Sequence, residues 1–297
     1  MVQERQKPSA GWLASGILYC FLGYHWTGPA RSDRRKSDSW THICPPSFQR
    51  LTPPTSFHDF RPISLCNCLY KIIAKIIANR IKPILSEHIP QEQFAFLHNR
   101  HIHEAIGSAQ EALHSIKLRK LKGMALKIDL SKALDKVTWL YLRMILTHLG
   151  FPLELTRWIM GCITSISFAL LINGSATHSF QAERGIRQGC PLSPILFLLV
   201  MEGLSRLLDS EKRAGRLRGL EITNPFLLNH LLFVDDILIF LNGDIQDIIT
   251  LRESLKLFSA ATGMEINREK SIVSFSECSQ QEIHLALQNF PYQVPDL

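Results

Sequence analysis

The run LLFVDDILIF, from Leu231 to Phe240, sets two adjacent carboxylates, Asp235 and Asp236, inside otherwise apolar sequence. An ionised carboxylate among apolar neighbours is costly unless something compensates it, and a second one beside it adds repulsion. A hard divalent cation is the usual remedy. Mg2+ takes oxygen ligands in near-octahedral geometry and keeps waters that a substrate phosphate can replace. A third carboxylate, Asp129, ends the strand-like MALKID and would lie on a neighbouring strand at the same edge of a sheet. Three aspartates from two strands can hold two Mg2+ ions roughly 3.5–4 Å apart, which stabilises the attacking and leaving oxygens of a phosphoryl transfer. On this reading the carboxylates are buried because they are metal ligands. The competing account makes Asp235 and Asp236 turn formers, but LLF before them and ILIF after them carry no Gly, Asn or Ser.

Such a site needs strands and a turn to hold it. The apolar runs flanking Val234, Asp235 and Asp236 are too close for a crossover, which predicts an antiparallel hairpin. GMALKIDL (Gly123 to Leu130) reads as a strand, followed by SKALDKVTWLYLRMILTHLG as one helix closing at Gly150 with Pro152 beyond. Next come a helix around LELTRWIMGCITS, a strand SFALLI and the hairpin signal Asn173-Gly174. Ser193 as N-cap and Pro194 as first helical residue open the long apolar helix ILFLLVMEGLSRLLDS. Asp244 caps a further helix ended by Gly263. Upstream, Ile72, Ile73, Ile76, Ile77, Ile81, Ile84 and Leu85 recur at helical spacing, with Lys71, Lys75, Asn79, Arg80 and Lys82 opposite. That pattern predicts an amphipathic helix with its isoleucines in the core and its basic face in solvent, unless nucleic acid lies along it. The sum is an α+β fold, a few-stranded antiparallel sheet backed by helices. Residues 1–56, rich in Pro, Ser and Arg and without periodicity, read as an unrelated or disordered extension, so the folded part is expected from about Phe57.

With 46% hydrophobic and 20% charged residues, the 297-residue chain can bury a core and does not read as disordered overall. Its net charge of +7 favours a polyanionic partner such as nucleic acid. Basic clusters stand at RSDRRK (Arg31 to Lys36), KLRKLK (Lys117 to Lys122) and KRAGRLR (Lys212 to Arg218). Each alone reads best as solvated surface, and the three together shift the balance modestly. Seven scattered cysteines lack zinc-site spacing and fit reduced, buried thiols. No stretch reaches the ~18 consecutive apolar residues of a membrane span.

In order, KIDLSKALDKVTW, RGIRQGCPLSPILFLLVMEGL and LLFVDDILIF resemble motifs A, B and C of the palm of reverse transcriptases, specifically those of LINE-type (non-LTR) retrotransposons in plants. DFRPISLCNCLYKIIAKIIANRIKPIL, QFAFLHNR and TGMEINREKS are similar to the flanking fingers motifs and the motif after C, so the resemblance runs from about Phe57 to Phe275. It implies partial helical fingers over 57–122, a polymerase palm over 123–276 and RNA-directed DNA polymerase activity. It also implies two Mg2+ ions, for which Mn2+ can substitute, an RNA template, a DNA primer and deoxynucleoside triphosphates as partners, and no membrane. Asp129 and Asp235 would be the principal catalytic metal ligands, with Asp236 beside them; one ion activates a primer 3′-hydroxyl and the other neutralises the triphosphate. Arg61 matches a fingers arginine that grips the triphosphate, a bidentate task suited to guanidinium. Gln188 and Gly189 match the motif B turn, where a bare backbone lets nucleotide and template approach. Lys270 matches a lysine that protonates the leaving pyrophosphate, and a solvated loop lysine is an equally good account of it.

Departures bear on function too. The family places an aromatic residue five positions after the first aspartate, where it blocks a ribose 2′-hydroxyl; here that residue is Leu134, which implies looser sugar discrimination. Val234 stands where alanine is more usual. The fingers segment expected before FRPISL is not recognisable, and the chain stops at FPYQVPDL, where residues 277–297 would begin the connection to a thumb. The expectation is therefore a palm with partial fingers and no thumb, cut from a longer polyprotein, intracellular in the nucleus or cytoplasm. The rivals are an intron maturase reverse transcriptase, and a catalytically silent remnant that at most binds nucleic acid.

Overall fold

The computed structural model of the chain describes residues 66–165, 167–169, 171–172, 175–223 and 226–295. The 1–56 extension, Arg61 and the Asn173-Gly174 turn lie outside the described residues.

Two helices come first, α1 (Cys68–His88) and α2 (Ile102–Leu118). Then follow strand β1 (Gly123–Ile128), the short β2 (Leu130–Ser131), and helices α3 (Ala133–Lys136), α4 (Trp139–His148) and α5 (Leu153–Thr164). Four two-residue strands, β3 (Ser167–Phe168), β4 (Leu171–Ile172), β5 (Ser175–Ala176) and β6 (Phe180–Gln181), pair as β3 with β6 and β4 with β5. Helix α6 (Ser193–Arg213) leads to the hairpin β7 (Leu220–Thr223) and β8 (Phe226–Leu228), then to β9 (His230–Phe233) and β10 (Asp236–Leu241). Helix α7 (Ile245–Thr262), strands β11 (Glu265–Ile266) and β12 (Ile272–Ser276), and helix α8 (Gln280–Asn289) complete the order.

The central sheet is antiparallel throughout, in the order β12-β1-β10-β9. All six residues of β1 are buried, because both faces of the sheet are covered. Met124, Leu126, Ile128, Ile237, Ile239 and Leu241 belong to the main core with helices α4 to α7. Ala125, Leu238 and Phe240 meet the alanine face of α2, Ala105, Ala109 and Ala112. Helix α6 runs beneath this sheet with Ile195 to Met201 buried without a break, as a helix that is apolar all round must be.

Four expectations need correction. The buried face of α1 is Ala74, Ile77, Ala78, Ile81 and Leu85, whereas Ile72, Ile73, Ile76 and Ile84 are each about half exposed. Alanines let the helix approach its neighbours closely, so the large residues do not mark the packed side. The single helix expected after β1 is broken at Val137 and Thr138: buried Val137 leaves the helical region with ψ of 121°, and extended Thr138 donates its N–H to Thr262 O at the end of α7 (2.8 Å). Ser193 is not the N-cap of α6, since Leu192 already has helical angles; the Ser193 hydroxyl donates to Arg187 O at 2.5 Å. Cys68 is exposed rather than buried.

The two basic clusters within the described residues behave as surface. Lys122 pairs with Asp244 and Glu282, Arg216 with Glu211, and Arg119 donates to Ile222 O. Among the described residues no helix is long and apolar enough to cross a membrane.

One buried group ties stability to pH. His230 is fully buried, with Nε2 2.8 Å from Ser205 Oγ and Nδ1 2.8 Å from Asn229 Oδ1. Burial pushes its imidazole down to about 4, with Asp209 pulling up and Lys212 pushing down. A folded histidine that refuses a proton the unfolded chain accepts makes stability fall as pH drops from ~6.5 to about 4, by up to about 3 kcal/mol. Asp236, discussed below, contributes in the opposite sense. The expected outcome is therefore a difference: between pH 7 and 5 the urea midpoint of the wild type falls more than that of His230→Gln. Equal falls would remove His230 from the account.

Candidate active site

Strand register builds the carboxylate cluster. β1 pairs with β10 through Ile128↔Ile237 and Lys127↔Leu238, so one further step sets Asp129 against Asp236. Directly opposed residues of antiparallel strands share a face, as do residues two apart. Asp129, Asp236 and Lys127 therefore project from one face of the sheet. The predicted hairpin is present, with Phe233 opposite Asp236 and Val234 and Asp235 forming the turn. Val234 has φ of 59°, a left-handed conformation that a β-branched residue adopts only where its surroundings impose it. Two buried strands on either side supply that constraint.

The carboxylates are not uniformly buried, which corrects the expectation. Asp235, at the tip of the turn, is exposed; Asp236, the first residue of β10, keeps 23% of its side chain in contact with solvent. The Asp236 carboxyl is pushed up to about 7, first by burial, then by the nearby charges of Asp235 and Asp129, against the pull of Lys127. Lys127 Nζ lies 3.9 Å from Asp236 Oδ1.

Asp129 is fixed through its backbone. Its N–H donates to Ser271 Oγ (3.1 Å) and its carbonyl accepts from Asn267 N–H (2.8 Å). The Ser271 hydroxyl in turn donates to Asn267 O at 2.7 Å, and β11 pairs with β2 immediately after Asp129. The TGMEINREKS segment thus folds around the aspartate, carrying the exposed Lys270 on the same loop.

The motif B turn is bound to the segment after Asp129. Gly185 N–H donates to Val137 O (2.7 Å), Ile186 N–H to Leu134 O (2.8 Å), and Gln188 Nε2 to Asp135 Oδ1 (2.9 Å). Gly189 sits at φ 84°, where glycine carries no steric cost. Leu134 is half-buried against the main core. Strand pairing and these bonds thus tie Asp129 to Asp236 and to the loop that carries Lys270, and tie the segment of Leu134 and Asp135 to the turn of Gln188 and Gly189.

Sequence reasoning missed Lys127, Asp135, and the stack of the Arg187 guanidinium on the Tyr70 ring at 4.3 Å, which ties the motif B turn to α1. The signal for Lys127 was present, since the spacing K-I-D puts it on the face of Asp129. The Arg187–Tyr70 pair spans distant segments and has no local signature.

The donor set suits a hard divalent ion. Burial first, and then the charges of Asp235 and Asp129, raise Asp236, and a cation would offset both. Among the described residues no group of three or more acidic, His or Cys side chains is placed to hold a metal ion by itself. Mg2+ does not require one, because it is commonly held by one or two carboxylates plus waters and substrate phosphates.

An antiparallel sheet backed by helices, with aspartates at the end of one strand and in the hairpin turn beside it, is the α+β arrangement that a polymerase palm requires. Residues 53–285 match the family model described as reverse transcriptase (RNA-dependent DNA polymerase), and the chain belongs to that family. It is 32% identical over 213 residues to the transposon TX1 uncharacterized 149 kDa protein of Xenopus laevis, covering 72% of this chain and 16% of that one. It is 26% identical over 215 residues to a Pol polyprotein from a type-1 retrotransposable element R2 of Popillia japonica, covering 72% of this chain and 29% of the relative. A shorter match, 46% over 67 residues, is to the uncharacterized mitochondrial protein AtMg01250 of Arabidopsis thaliana, covering 22% of this chain and 55% of that one. The chain thus spans under a third of the two longer relatives. These kinships agree with the LINE-type character of the motifs.

Proposed function

We propose that the chain performs RNA-directed DNA synthesis as part of a LINE-type retrotransposon, by template-directed nucleotidyl transfer. The observation that supports this most is the gathering of Asp129, Asp235 and Asp236 at one end of the central sheet. Two Mg2+ ions would supply Lewis acidity to the primer 3′-hydroxyl and charge neutralisation to the triphosphate. In this reading Asp129 and Asp235 hold them, Asp235 being open to solvent and substrate and Asp129 anchored by its backbone. Asp236 supports the pair from the sheet. The turn at Gln188 and Gly189 receives the nucleotide and template strand, and Lys270, exposed on the loop around Asp129, meets the departing pyrophosphate. Arg61 would grip the triphosphate. In this reading the chain divides into partial fingers over 57–122, a palm over 123–276 and the start of a palm–thumb connection over 277–297. The partners are an RNA template, a DNA primer and deoxynucleoside triphosphates, in the nucleus or cytoplasm. A plant host is supported by the 46% identity to the Arabidopsis protein.

The test is extension of a DNA primer annealed to RNA, with deoxynucleotides and Mg2+, by the purified chain and by Asp235→Asn. Extension lost in the variant supports the reading. A folded wild-type chain that extends nothing would favour the silent remnant.

Leu134 carries its own expected result. Its branched aliphatic side chain closes the space at a nucleotide sugar less fully than a ring. Leu134→Phe should increase the preference for deoxynucleotides over ribonucleotides by about tenfold, the scale of discrimination that shape alone provides. The measurement is the ratio of kcat/KM for matched dNTP and rNTP. An unchanged ratio would mean that residue 134 does not face the sugar.

A further inference from the structure

Lys127 has no part in the roles given above, yet it lies within the carboxylate cluster. It is 8% exposed, an unusual place for a lysine, and it sits in the middle strand region with Leu238 opposite on one side and Ile272 on the other. Its strand neighbours on the same face are Ala125 and Asp129. Ala125, with Leu238 and Phe240 across the ladder, packs on α2 and gives that end of the face an apolar floor. The ammonium lies at the other end, 3.9 Å from Asp236 Oδ1. At that separation charge, more than a short hydrogen bond, holds the two together.

We propose that Lys127 is a positioning residue: a resident counter-cation that steadies the aspartate cluster in the absence of a divalent ion and lowers the affinity with which the cluster takes one. This rests on the proposed role of Asp129 and Asp235 as metal ligands. Ammonium and divalent ion draw on the same negative charge and repel each other. Replacing the lysine by an apolar side chain of similar length removes one positive charge from beside the cluster. The metal should then bind more tightly, by about tenfold, since Coulomb terms of this size act across a few ångströms at the effective dielectric of a partly buried site. A lysine that merely filled space or stabilised the strand would predict the reverse, a looser site or no change.

The experiment is Mn2+ titration of the whole chain without substrate, followed by the electron paramagnetic resonance signal of the unbound ion, with Asp129→Asn identifying uptake at this site. Lys127→Met is expected to bind about tenfold more tightly than the wild type. Lys127→Arg, which keeps the charge, should bind like the wild type, and Lys127→Met combined with Asp236→Asn should return towards it. Lys127→Gln is read in the same way should Lys127→Met fail to fold. Wild-type affinity or weaker binding in the folded, uncharged variants overturns the proposal. So does tightening in Lys127→Arg equal to that in Lys127→Met, which would assign the effect to shape. If the wild type takes up no Mn2+ that Asp129→Asn abolishes, the metal-ligand reading itself fails and the role of Lys127 goes with it.

Discussion

Asp129→Asn should reduce templated primer extension by at least about a thousandfold while leaving the fold intact. A thousandfold corresponds to about 4 kcal/mol of transition-state stabilisation, which is within what one ligand of a catalytic metal ion contributes. The substitution keeps the shape of the side chain and removes its charge. The bonds that anchor residue 129, from its N–H to Ser271 and from its carbonyl to Asn267, are backbone bonds and survive. Loss of one of the like charges that press on Asp236 also removes a source of strain, so the melting temperature without metal should stay level or rise. The two measurements together are the check: extension under single-turnover conditions, and thermal melting of the same preparation. Activity within tenfold of the wild type would remove Asp129 from the chemistry. A collapse of melting temperature alongside activity would make its role structural.

The motifs were readable because the chemistry they serve leaves local traces. Two charges inside an apolar run, a strand ending in aspartate, and a Gly-rich turn before an apolar helix are visible in a few consecutive residues. The hairpin at Val234 and Asp235 and the closing glycine at 263, with φ of 77°, followed from the same local rules. What failed depended on neighbours distant in sequence. The face of α1 that is buried is chosen by the close approach of other helices, for which Ala74 and Ala78 are better suited than the larger Ile72 and Ile76. The break at Val137 and Thr138 is imposed by the end of α7, more than a hundred residues away in sequence, and the helical angles of Leu192 come from a loop already held by other contacts. The exposure of Asp235 has the simplest cause. A residue at the tip of a tight turn leaves the sheet even when both of its strands are buried, so an apolar context in sequence overstates burial there.

Gly185→Ala is expected to have the largest effect on stability among single-methyl changes near the site. Gly185 lies at φ 91°, a backbone conformation that side chains disfavour, and an added Cβ would stand 2.8 Å from Asp135 O and 3.2 Å from Asp135 Cα. The atoms in the way are backbone, which cannot swing aside like the end of a side chain. They also belong to the contact that sets the site: Gly185 N–H donates to Val137 O, Trp139 Nε1 donates to Gly185 O at 2.8 Å, and Gln188 reaches Asp135. Relief of the clash must separate the motif B turn from α3. The strain alone is worth about 1 kcal/mol and the forced shift adds more, for a total of about 2–4 kcal/mol. Gly150→Ala is the internal control, because Gly150 has φ of 77° but nothing within 4 Å of an added Cβ, so it isolates the strain at about 1 kcal/mol. Urea midpoints at constant slope should rank wild type above Gly150→Ala and Gly150→Ala above Gly185→Ala. If the proposed polymerase reading holds, Gly185→Ala should also raise KM for the nucleotide while Gly150→Ala leaves it unchanged, because only the former moves Gln188. Equal losses of stability in the two variants would show that the turn and α3 are not in contact as tightly as these distances require.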